Sequence, residues 1–262
     1  MTKVENMFTD GGAYERAVGR WSRLVGDAFI DWLDAPKGLS WLDVGCGNGA
    51  FTAQIVSRCA PSAVSGLDPS KAQIEFALQQ PDLKRAQFQV GHAEALPFEP
   101  GSFDVAVMAL VISFVPNAAA AVAEMARVVK PGGMIAAYMW DFPNNAAPAG
   151  PISSAMSAMD MKMPRPPHPD LASTSALSSI WQAAGLESVE TCAIKIKLEF
   201  RDFDDFWESS NLPVGPTGMV IQSMSEVDRT LLKERLRDAL PVMPDGRIVY
   251  DAVANAVKGL VP

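Results

Sequence analysis

A glycine-rich loop is the segment of this chain whose residue types and spacing most clearly allow chemistry. Gly45, Gly47 and Gly49 alternate directly after a short run of strand length, Ser40–Val44, and a segment with helical spacing follows them. Glycines at alternate positions permit a tight turn with positive φ and let a ligand lie directly on the backbone. The helix that follows offers free N–H groups and a partial positive charge. The segment therefore predicts a binding loop for a small ligand.

An acidic residue follows the next predicted strand. Asp68 ends a short apolar run, and a carboxylate in this place can accept hydrogen bonds from both hydroxyls of a ribose, as in dinucleotide-binding folds. The alternative is a plain turn residue before Pro69. Together, the glycine loop and this carboxylate predict a nucleoside ligand at the carboxyl edge of the sheet.

The identity of the nucleoside depends on the details of the loop. In the dehydrogenase pattern G-x-G-x-x-G the third glycine falls at a position that is Ala50 here, one residue after Gly49. Asp43 lies two residues before the first glycine, where a pyrophosphate gains nothing from a negative charge but a nucleoside with an ammonium group tolerates or uses it. Alternatively, Asp43 only ties the backbone of the loop. The sequence favours an amino-acid-bearing nucleoside and leaves an NAD-type ligand open.

The elements that must position this loop alternate along the chain. We predict strands at Ser40–Val44, Ala63–Leu67, Ala86–Val90, Phe103–Ala109 and Met134–Trp140. We predict helices at 14–32, Ala50–Cys59, Lys71–Gln79 and Ala118–Val129. Strands that alternate with helices are joined by right-handed crossovers, so we expect an α/β fold with an open, mostly parallel sheet and helices on both faces.

The second half of the chain has a different pattern. A helix is predicted at about 174–184 and a strand with one wet face at Val189–Phe200, while the tail from Gly246 allows either a strand or a helix. The expected organisation is a single domain, 1–262, made of an N-terminal helical segment (1–38), a ligand-binding core (39–141), a proline-rich loop (142–170) and a C-terminal half (171–262) with a helical lid insertion at about 203–240.

Composition narrows the class of protein. The chain carries 22 basic and 30 acidic residues, a formal charge of −8, so it lacks the phosphate-neutralising surface on which nucleic-acid binding depends. No apolar run is long enough for a membrane span, and the N-terminus does not resemble a signal peptide. Three cysteines without metal-type spacing predict neither a disulfide scaffold nor a metal site. We expect a cytoplasmic protein with a small-molecule partner and leave its oligomeric state open.

Five motifs, in order between Trp41 and Asp141, resemble those of the class I S-adenosylmethionine (SAM)-dependent methyltransferases, in particular the small-molecule branch that includes the ubiquinone/menaquinone C-methyltransferases. The motifs are Leu42-Asp43-Val44-Gly45-Cys46-Gly47-Asn48-Gly49, Gly66-Leu67-Asp68-Pro69-Ser70, Gly91-His92-Ala93-Glu94-Ala95-Leu96-Pro97-Phe98, Gly101-Ser102-Phe103-Asp104-Val105 and Val128-Val129-Lys130-Pro131-Gly132-Gly133. The resemblance implies a Rossmann-like, seven-stranded sheet, SAM as cofactor and S-adenosylhomocysteine (SAH) as its product.

The resemblance also implies a set of cofactor-binding residues. Gly45 and Gly47 would pack against the methionine part of SAM, Asp68 would bind the ribose, and Ala109 would line the pocket at the end of the fourth strand. The whole expected set is Tyr14, Arg20, Asp43, Gly45, Cys46, Gly47, Asp68, Pro69, His92, Ala93, Glu94 and Ala109.

The adenine end of this set departs from the family pattern. Ala93 and its neighbours would hold the adenine edge, but His92 stands where the family often has an aspartate that accepts from the adenine amino group. A neutral imidazole can accept one such bond. The alternative is an exposed histidine, with Glu94 or solvent making the contact.

The N-terminal segment Tyr14-Glu15-Arg16-Ala17-Val18-Gly19-Arg20-Trp21-Ser22 is similar to a recurrent leader in bacterial members of the branch. A guanidinium suits a planar carboxylate. Arg20 is therefore expected either to clamp the carboxylate of SAM, with Tyr14 nearby, or to lie on a solvated helix face.

The acceptor side carries less signal. No general base is evident, because Ser113 stands where relatives often carry a histidine, and Asp141, just past the fifth strand, is the one weak catalytic candidate; the alternative for Asp141 is a turn cap. The residues expected to bind an apolar substrate are Trp140, Asp141, Phe206, Trp207 and Met219, with plain core packing as the alternative for the apolar ones.

The sequence thus predicts a SAM-dependent methyltransferase that acts on a small, fairly apolar molecule at O, N or C by in-line displacement. Two alternatives stay open: a non-catalytic module that binds SAM or SAH, and an NAD-dependent oxidoreductase.

Overall fold

A computed structural model describes residues 19–212 and 215–262 of the chain. Seven strands form one sheet in the order β3-β2-β1-β4-β5-β7-β6. The strands are β1 (Ser40–Val44), β2 (Ala63–Asp68), β3 (Ala86–Val90), β4 (Phe103–Ala109), β5 (Val129–Trp140), β6 (Glu187–Phe200) and β7 (Ile248–Leu260). The helices are α1 (Arg20–Leu33), α2 (Ala50–Cys59), α3 (Lys71–Leu78), α4 (Ala118–Val128), α5 (Gly150–Ser157), α6 (Thr174–Ala183), α7 (Phe203–Ser210), α8 (Gly215–Ser223) and α9 (Glu226–Ala239).

Most of the sheet is parallel. Strand β1 pairs in parallel with β2 and β4, β2 pairs in parallel with β3, and β4 with β5. The last strand runs the other way: the amide of Gly132, near the start of β5, donates to the carbonyl of Val261, just past the end of β7, at 2.8 Å. Parallel strands bring their carboxyl ends to one edge, where ligands bind in open α/β sheets. The predicted fold class is confirmed.

The packing divides the chain into two compact units. Among the described residues, the core unit comprises 23–139, 166–194 and 254–262, and the second unit comprises 19–22, 140–165 and 195–253. The predicted glycine loop and the ends of the first four strands lie in the core unit, whereas the predicted substrate residues lie in the second unit. The expectation of a single domain stays a prediction.

Apolar burial explains the core unit. In β1, Trp41, Leu42 and Val44 are fully buried, as expected of a strand with helices on both faces. Helix α1 packs Phe29 onto Tyr138 of β5, with 4.6 Å between ring centroids. Burying a large side chain of this kind stabilises a fold by roughly 1.5–3 kcal/mol.

Side-chain caps set the beginnings of several helices. Asn117 accepts a hydrogen bond from the amide of Ala120 at 3.1 Å at the start of α4, and Ser173 accepts one from Ala176 at 3.2 Å at the start of α6. Each cap satisfies an amide that the helix itself leaves without a partner, which stabilises by about 1 kcal/mol.

Two expectations about the elements need correction, and one alternative that the sequence left open is decided. The predicted loop 142–170 contains helix α5, whose Ile152 and Met156 are buried; Pro151 stands in its first turn, where a missing N–H costs nothing. Strand β5 begins at Val129 rather than at Met134, because Gly132 finds a pairing partner at the end of β7. The ambiguous tail is strand β7.

In the described ranges, no helix is long and apolar enough to cross a membrane.

Candidate functional site

The glycine loop connects β1 to α2 and bends by way of left-handed glycines. Gly45, Gly47 and Gly49 have φ angles of +78°, +53° and +85°. The amides of Gly45 and Cys46 both donate to the carbonyl of Leu67, at 2.7 and 3.0 Å, so the end of β2 holds the start of the loop. Only glycine adopts such angles routinely, which explains the motif.

Open space is found above one of these glycines. A Cβ on Gly45 would lie 2.6 Å from both methyl groups of Val111, and one on Gly49 would lie 2.6 Å from Leu83. A Cβ on Gly47 would meet nothing within 4 Å. Gly45 and Gly49 are therefore required by packing, whereas the bare backbone of Gly47 faces room for a ligand.

Asp68 fastens the loop from the end of β2. Its Oδ2 accepts from the amide of Gly47 at 2.9 Å, and its Oδ1 accepts from the amide of Ser70 at 2.8 Å. Desolvation raises the pKa of Asp68, and the two amide bonds oppose that shift. Each carboxylate oxygen keeps a further lone pair, which leaves it able to accept from a ligand hydroxyl. The next residue, Pro69, is exposed.

Asp43 is fully buried beneath the loop. Its Oδ2 accepts from the Thr52 hydroxyl at 2.7 Å, and its Oδ1 has no hydrogen-bond partner among the described residues. Burial raises the pKa of Asp43 to about 7, helped by the nearby charge of Asp68 and opposed by Thr52. Asp43 thus contacts helix α2, while the bond to the backbone of the loop is made by Asp68. An orphaned buried oxygen of this kind suits a donor supplied by a ligand.

Cys46 is a buried structural thiol. Burial raises its pKa, and the carboxylates of Asp43 and Asp68 raise it further. A thiol that stays protonated is a poor nucleophile. The side chain instead fills space inside the loop, since a Cβ on Gly66 would lie 2.9 Å from its Sγ.

The predicted adenine segment is a short turn. The carbonyl of His92 accepts from the amide of Ala95 at 3.2 Å, Ala93 is buried, and the side chain of His92 is exposed. Glu94 accepts from the amide of Asn117 at 3.3 Å, so its carboxylate caps the approach to α4. A role of His92 or Glu94 at the adenine edge stays a prediction.

The end of β4 carries a strained residue that the sequence did not indicate. Ala109 is half-buried, and the next residue, Leu110, has a φ of +62° while its amide donates to the carbonyl of Tyr138 at 2.9 Å. A left-handed leucine costs about 1–3 kcal/mol and is held only where its surroundings determine it, which is common at ligand sites. It directs Val111 against Gly45 of the loop. Buried Ser113, whose Oγ lacks a partner in the described part of the chain, follows.

The weak catalytic candidate makes turn contacts. Both oxygens of Asp141 accept from the side-chain amide of Asn144, at 3.1 and 2.9 Å, and its Oδ1 also accepts from the backbone amide of Asn144 at 3.2 Å. The carboxylate is 6% exposed. These contacts agree with the turn-cap alternative, and a role in substrate binding stays a prediction.

The residues predicted to bind substrate have different surroundings within the second unit. Trp140, Phe206 and Trp207 are buried, whereas Met219 is 44% exposed. Phe206 packs edge-on against Phe200 at a centroid distance of 5.1 Å. The burial of the first three agrees with the core-packing alternative, and Met219 presents a flexible apolar chain at the surface; a role of these residues in substrate binding stays a prediction.

Of the two residues expected to bind the carboxylate of SAM, only Arg20 lies within the described ranges, and its role there stays a prediction. Arg20 belongs to the second unit, where its guanidinium carbon lies 3.9 Å from the ring centroid of Trp21 and 4.7 Å from that of Phe200. Tyr14 lies outside the described residues. No group of three or more His, Cys, Asp or Glu side chains suited to a metal occurs within the described ranges.

Comparison with known proteins agrees with this geometry. Residues 42–137 match the profile of a family described as a methyltransferase domain. The demethylmenaquinone methyltransferase of Lactococcus lactis is 40% identical over 102 residues, which is 37% of this chain and 40% of that protein. The biotin biosynthesis bifunctional protein BioHC of Cellvibrio japonicus is 36% identical over 132 residues, 50% of this chain and 26% of that protein. The chain spans about half the length, or less, of the curated relatives it matches.

Solved structures resemble a larger share of the chain. The YcgJ protein of Bacillus subtilis covers 91% of this chain over 98% of its own, with a TM-score of 0.59 and 20% identity. Phosphoethanolamine N-methyltransferase 2 of Haemonchus contortus, in complex with SAM, covers 95% of this chain over 56% of its own, with a TM-score of 0.58 and 18% identity. At such identities the likeness concerns the fold.

Proposed function

We propose that residues 42–137, which match the methyltransferase domain family, form a class I SAM-dependent methyltransferase domain, and that the chain transfers a methyl group from SAM to a small, fairly apolar molecule at oxygen, nitrogen or carbon. The observation that supports this proposal is the free space over Gly47, whose amide donates to the carboxylate of Asp68, together with the buried Oδ1 of Asp43, which has no partner among the described residues. The partner is a small molecule, and a cytoplasmic location is part of the proposal.

The residues of the loop fit the parts of SAM. The bare backbone at Gly47 gives the methionine part room, and the spare lone pairs of Asp68 suit the ribose hydroxyls. The orphaned Oδ1 of Asp43 supplies the negative charge that an ammonium group needs. Ala93 and its neighbours, with Ala109, would border the adenine and the end of the pocket. Cys46, Pro69, His92 and Glu94 complete the proposed set.

The chain's own part in catalysis is alignment. When bound, SAM supplies a methyl group already activated by a positively charged sulfur. The residues of the chain therefore have to hold the acceptor, the methyl group and the sulfur in line and keep water out. Such positioning alone can account for a large share of a rate enhancement. An acceptor that arrives deprotonated needs no general base. The carboxylate of Asp141 accepts a hydrogen bond from the side chain of Asn144, which agrees with a mechanism in which Asp141 does not act as a general base.

The proposal is tested by following SAH release from SAM over a panel of small phenols, amines and enolisable ketones. We expect SAH to form with at least one acceptor class, and the Gly47→Ala variant to lose that activity while it keeps its fold. Binding of SAM with no transfer to any acceptor would favour the binding module, and binding of NAD without SAM would favour the oxidoreductase.

A further inference from the structure

Arg20 has an unusual environment within the second unit. Its guanidinium lies against the rings of Trp21 and Phe200, whose centroids are 5.4 Å apart. Phe200 in turn stacks on Tyr250, with 6.0 Å between centroids and 16° between ring planes. The positive charge therefore stands beside a group of flat aromatic faces. Arginine on aromatic faces is attracted by the rings, but that attraction does not satisfy its N–H donors.

Two of the three guanidinium nitrogens of Arg20 lack an acceptor in the described part of the chain. Nε and Nη2 are shielded from solvent, and neither has a hydrogen-bond partner among the described residues. Burial is the largest influence on the pKa of Arg20 and lowers it, while the charges of Asp205 and Tyr250 raise it by less. A desolvated cation without acceptors is unfavourable unless an anion joins it.

The polar groups of Asp205 and Tyr250 are hydrogen-bonded to residues other than Arg20. Asp205 accepts from the backbone amide of Arg201 at 3.0 Å and pairs with the Arg201 guanidinium at 3.7 Å. The hydroxyl of Tyr250 donates to the carbonyl of Pro148 at 2.9 Å. Neither group therefore supplies an acceptor to Nε or Nη2 of Arg20.

We propose that Arg20, with Trp21, Phe200 and Tyr250, binds the carboxylate of a flat aromatic acid. A planar guanidinium forms two parallel hydrogen bonds with a carboxylate, and the aromatic side chains beside it suit a ring attached to that carboxylate. These residues all lie outside 42–137, the part of the chain that matches the methyltransferase family, which favours a ligand other than SAM as the owner of the carboxylate. The binding of an aromatic acid does not rest on the proposed function.

The test is a calorimetric titration of the full chain with 2-naphthoate and with its neutral analogue 2-naphthamide, without SAM. We expect the acid to bind at least about 10-fold more tightly than the amide, in line with hydrogen bonds to a charged group. Arg20→Gln should abolish the preference for the acid. Arg20→Lys should keep part of it, because lysine carries the positive charge but cannot form two parallel hydrogen bonds with a carboxylate. Arg237→Gln is the matched control, since Arg237 also lies over an aromatic ring, Phe203, but is paired with Asp204.

Equal affinity for the acid and the amide, or a preference that survives Arg20→Gln, would overturn the proposal. Loss of SAM affinity in Arg20→Gln with unchanged naphthoate binding would overturn it as well and assign the carboxylate to SAM. SAM is titrated separately into the wild-type chain, so a failure to bind SAM would refute the proposed function without touching the aromatic-acid site. Should Arg20→Gln not fold, the comparison of Arg20→Lys with the wild type decides: an undiminished preference for the acid in that variant would contradict a bidentate contact.

Discussion

The glycine loop and the Arg20 cluster hold unpaired polar atoms by different means. In the loop, a few consecutive residues and their left-handed φ angles fix the backbone, and Asp68 fastens it with one bond to Gly47. In the cluster, residues from distant parts of the chain, Arg20, Phe200 and Tyr250, meet through ring packing. A site fixed by the backbone can be recognised as a local sequence motif, whereas a site fixed by packing depends on residues far apart in the sequence. The cofactor site that we propose is of the first kind, and the aromatic-acid site that we propose is of the second.

The largest expected effect is in the loop region and concerns Asp43. Its pKa, raised from 3.8 to about 7, means that between about pH 4 and pH 7 the folded protein keeps a proton that the unfolded chain has released. The free energy of unfolding should fall as the pH rises through that window, by of order 4 kcal/mol from this group. Asp43→Asn should lack this part of the fall. Denaturant unfolding of both proteins from pH 4 to pH 8 measures the difference, and parallel profiles would contradict the assignment.

Gly45→Ala sharpens the comparison by testing the packing of the loop. The added Cβ would lie 2.6 Å from Val111 at a φ of +78°, so strain and overpacking together should lower the free energy of unfolding by about 3 kcal/mol. Gly185→Ala is the matched control, because Gly185 has the same φ of +78° with nothing within 4 Å of its Cβ. It should cost only the strain, about 1–2 kcal/mol. Equal losses of unfolding free energy in the two variants would show that Val111 moves away from the new Cβ at no measurable cost.

Asp68→Asn tests the carboxylate of the loop. It should weaken SAM and SAH binding by about 1.5–3 kcal/mol, because hydrogen bonds to a charged acceptor are lost. Asp104→Asn is the control: Asp104 also accepts from a backbone amide, that of Ser40 at 2.8 Å, but at the start of β4. Calorimetric titration of both variants should show the loss in Asp68→Asn alone. Unchanged SAM affinity in Asp68→Asn would show that Asp68 does not bind the ribose.

The smallest effect separates ligand contact from backbone strain. Gly47→Ala should reduce SAM affinity at least about 10-fold, or about 1.4 kcal/mol, because the new methyl group occupies the space left for the ligand. Gly38→Ala introduces a Cβ at a positive φ of +81°, also with nothing within 4 Å, outside the loop. It should leave SAM affinity as it is. Equal affinities in the two variants would place the ligand away from Gly47.

The sequence predicted the parts that local patterns encode. The runs Ser40–Val44 and Phe103–Ala109 are strands with the predicted bounds, since a strand buried on both faces is a continuous apolar run. The left-handed Gly45 and Gly47 agree with the prediction from the alternating glycines. These elements depend on neighbours in the sequence, which is why they could be predicted without a structure.

The features that escaped prediction depend on partners far along the chain. The prolines around helix α5 made its sequence look like a loop, whereas burial of Ile152 and Met156 stabilises the helix. No residue pattern indicates the left-handed Leu110, whose conformation is held by the backbone of Tyr138 in another strand. Likewise, nothing near Arg20 in the sequence predicts Phe200 or Tyr250 beside it.

The most direct test of the central claim is thermal unfolding of the chain with and without SAM, SAH and NAD. A ligand at a hundred times its dissociation constant adds about 2.7 kcal/mol to the free energy of unfolding. For a chain of 262 residues this should raise the midpoint by roughly 5–10 °C. We expect that rise with SAM and SAH and none with NAD. A rise with NAD alone, or no response to SAM and SAH, would contradict a SAM site at the glycine loop.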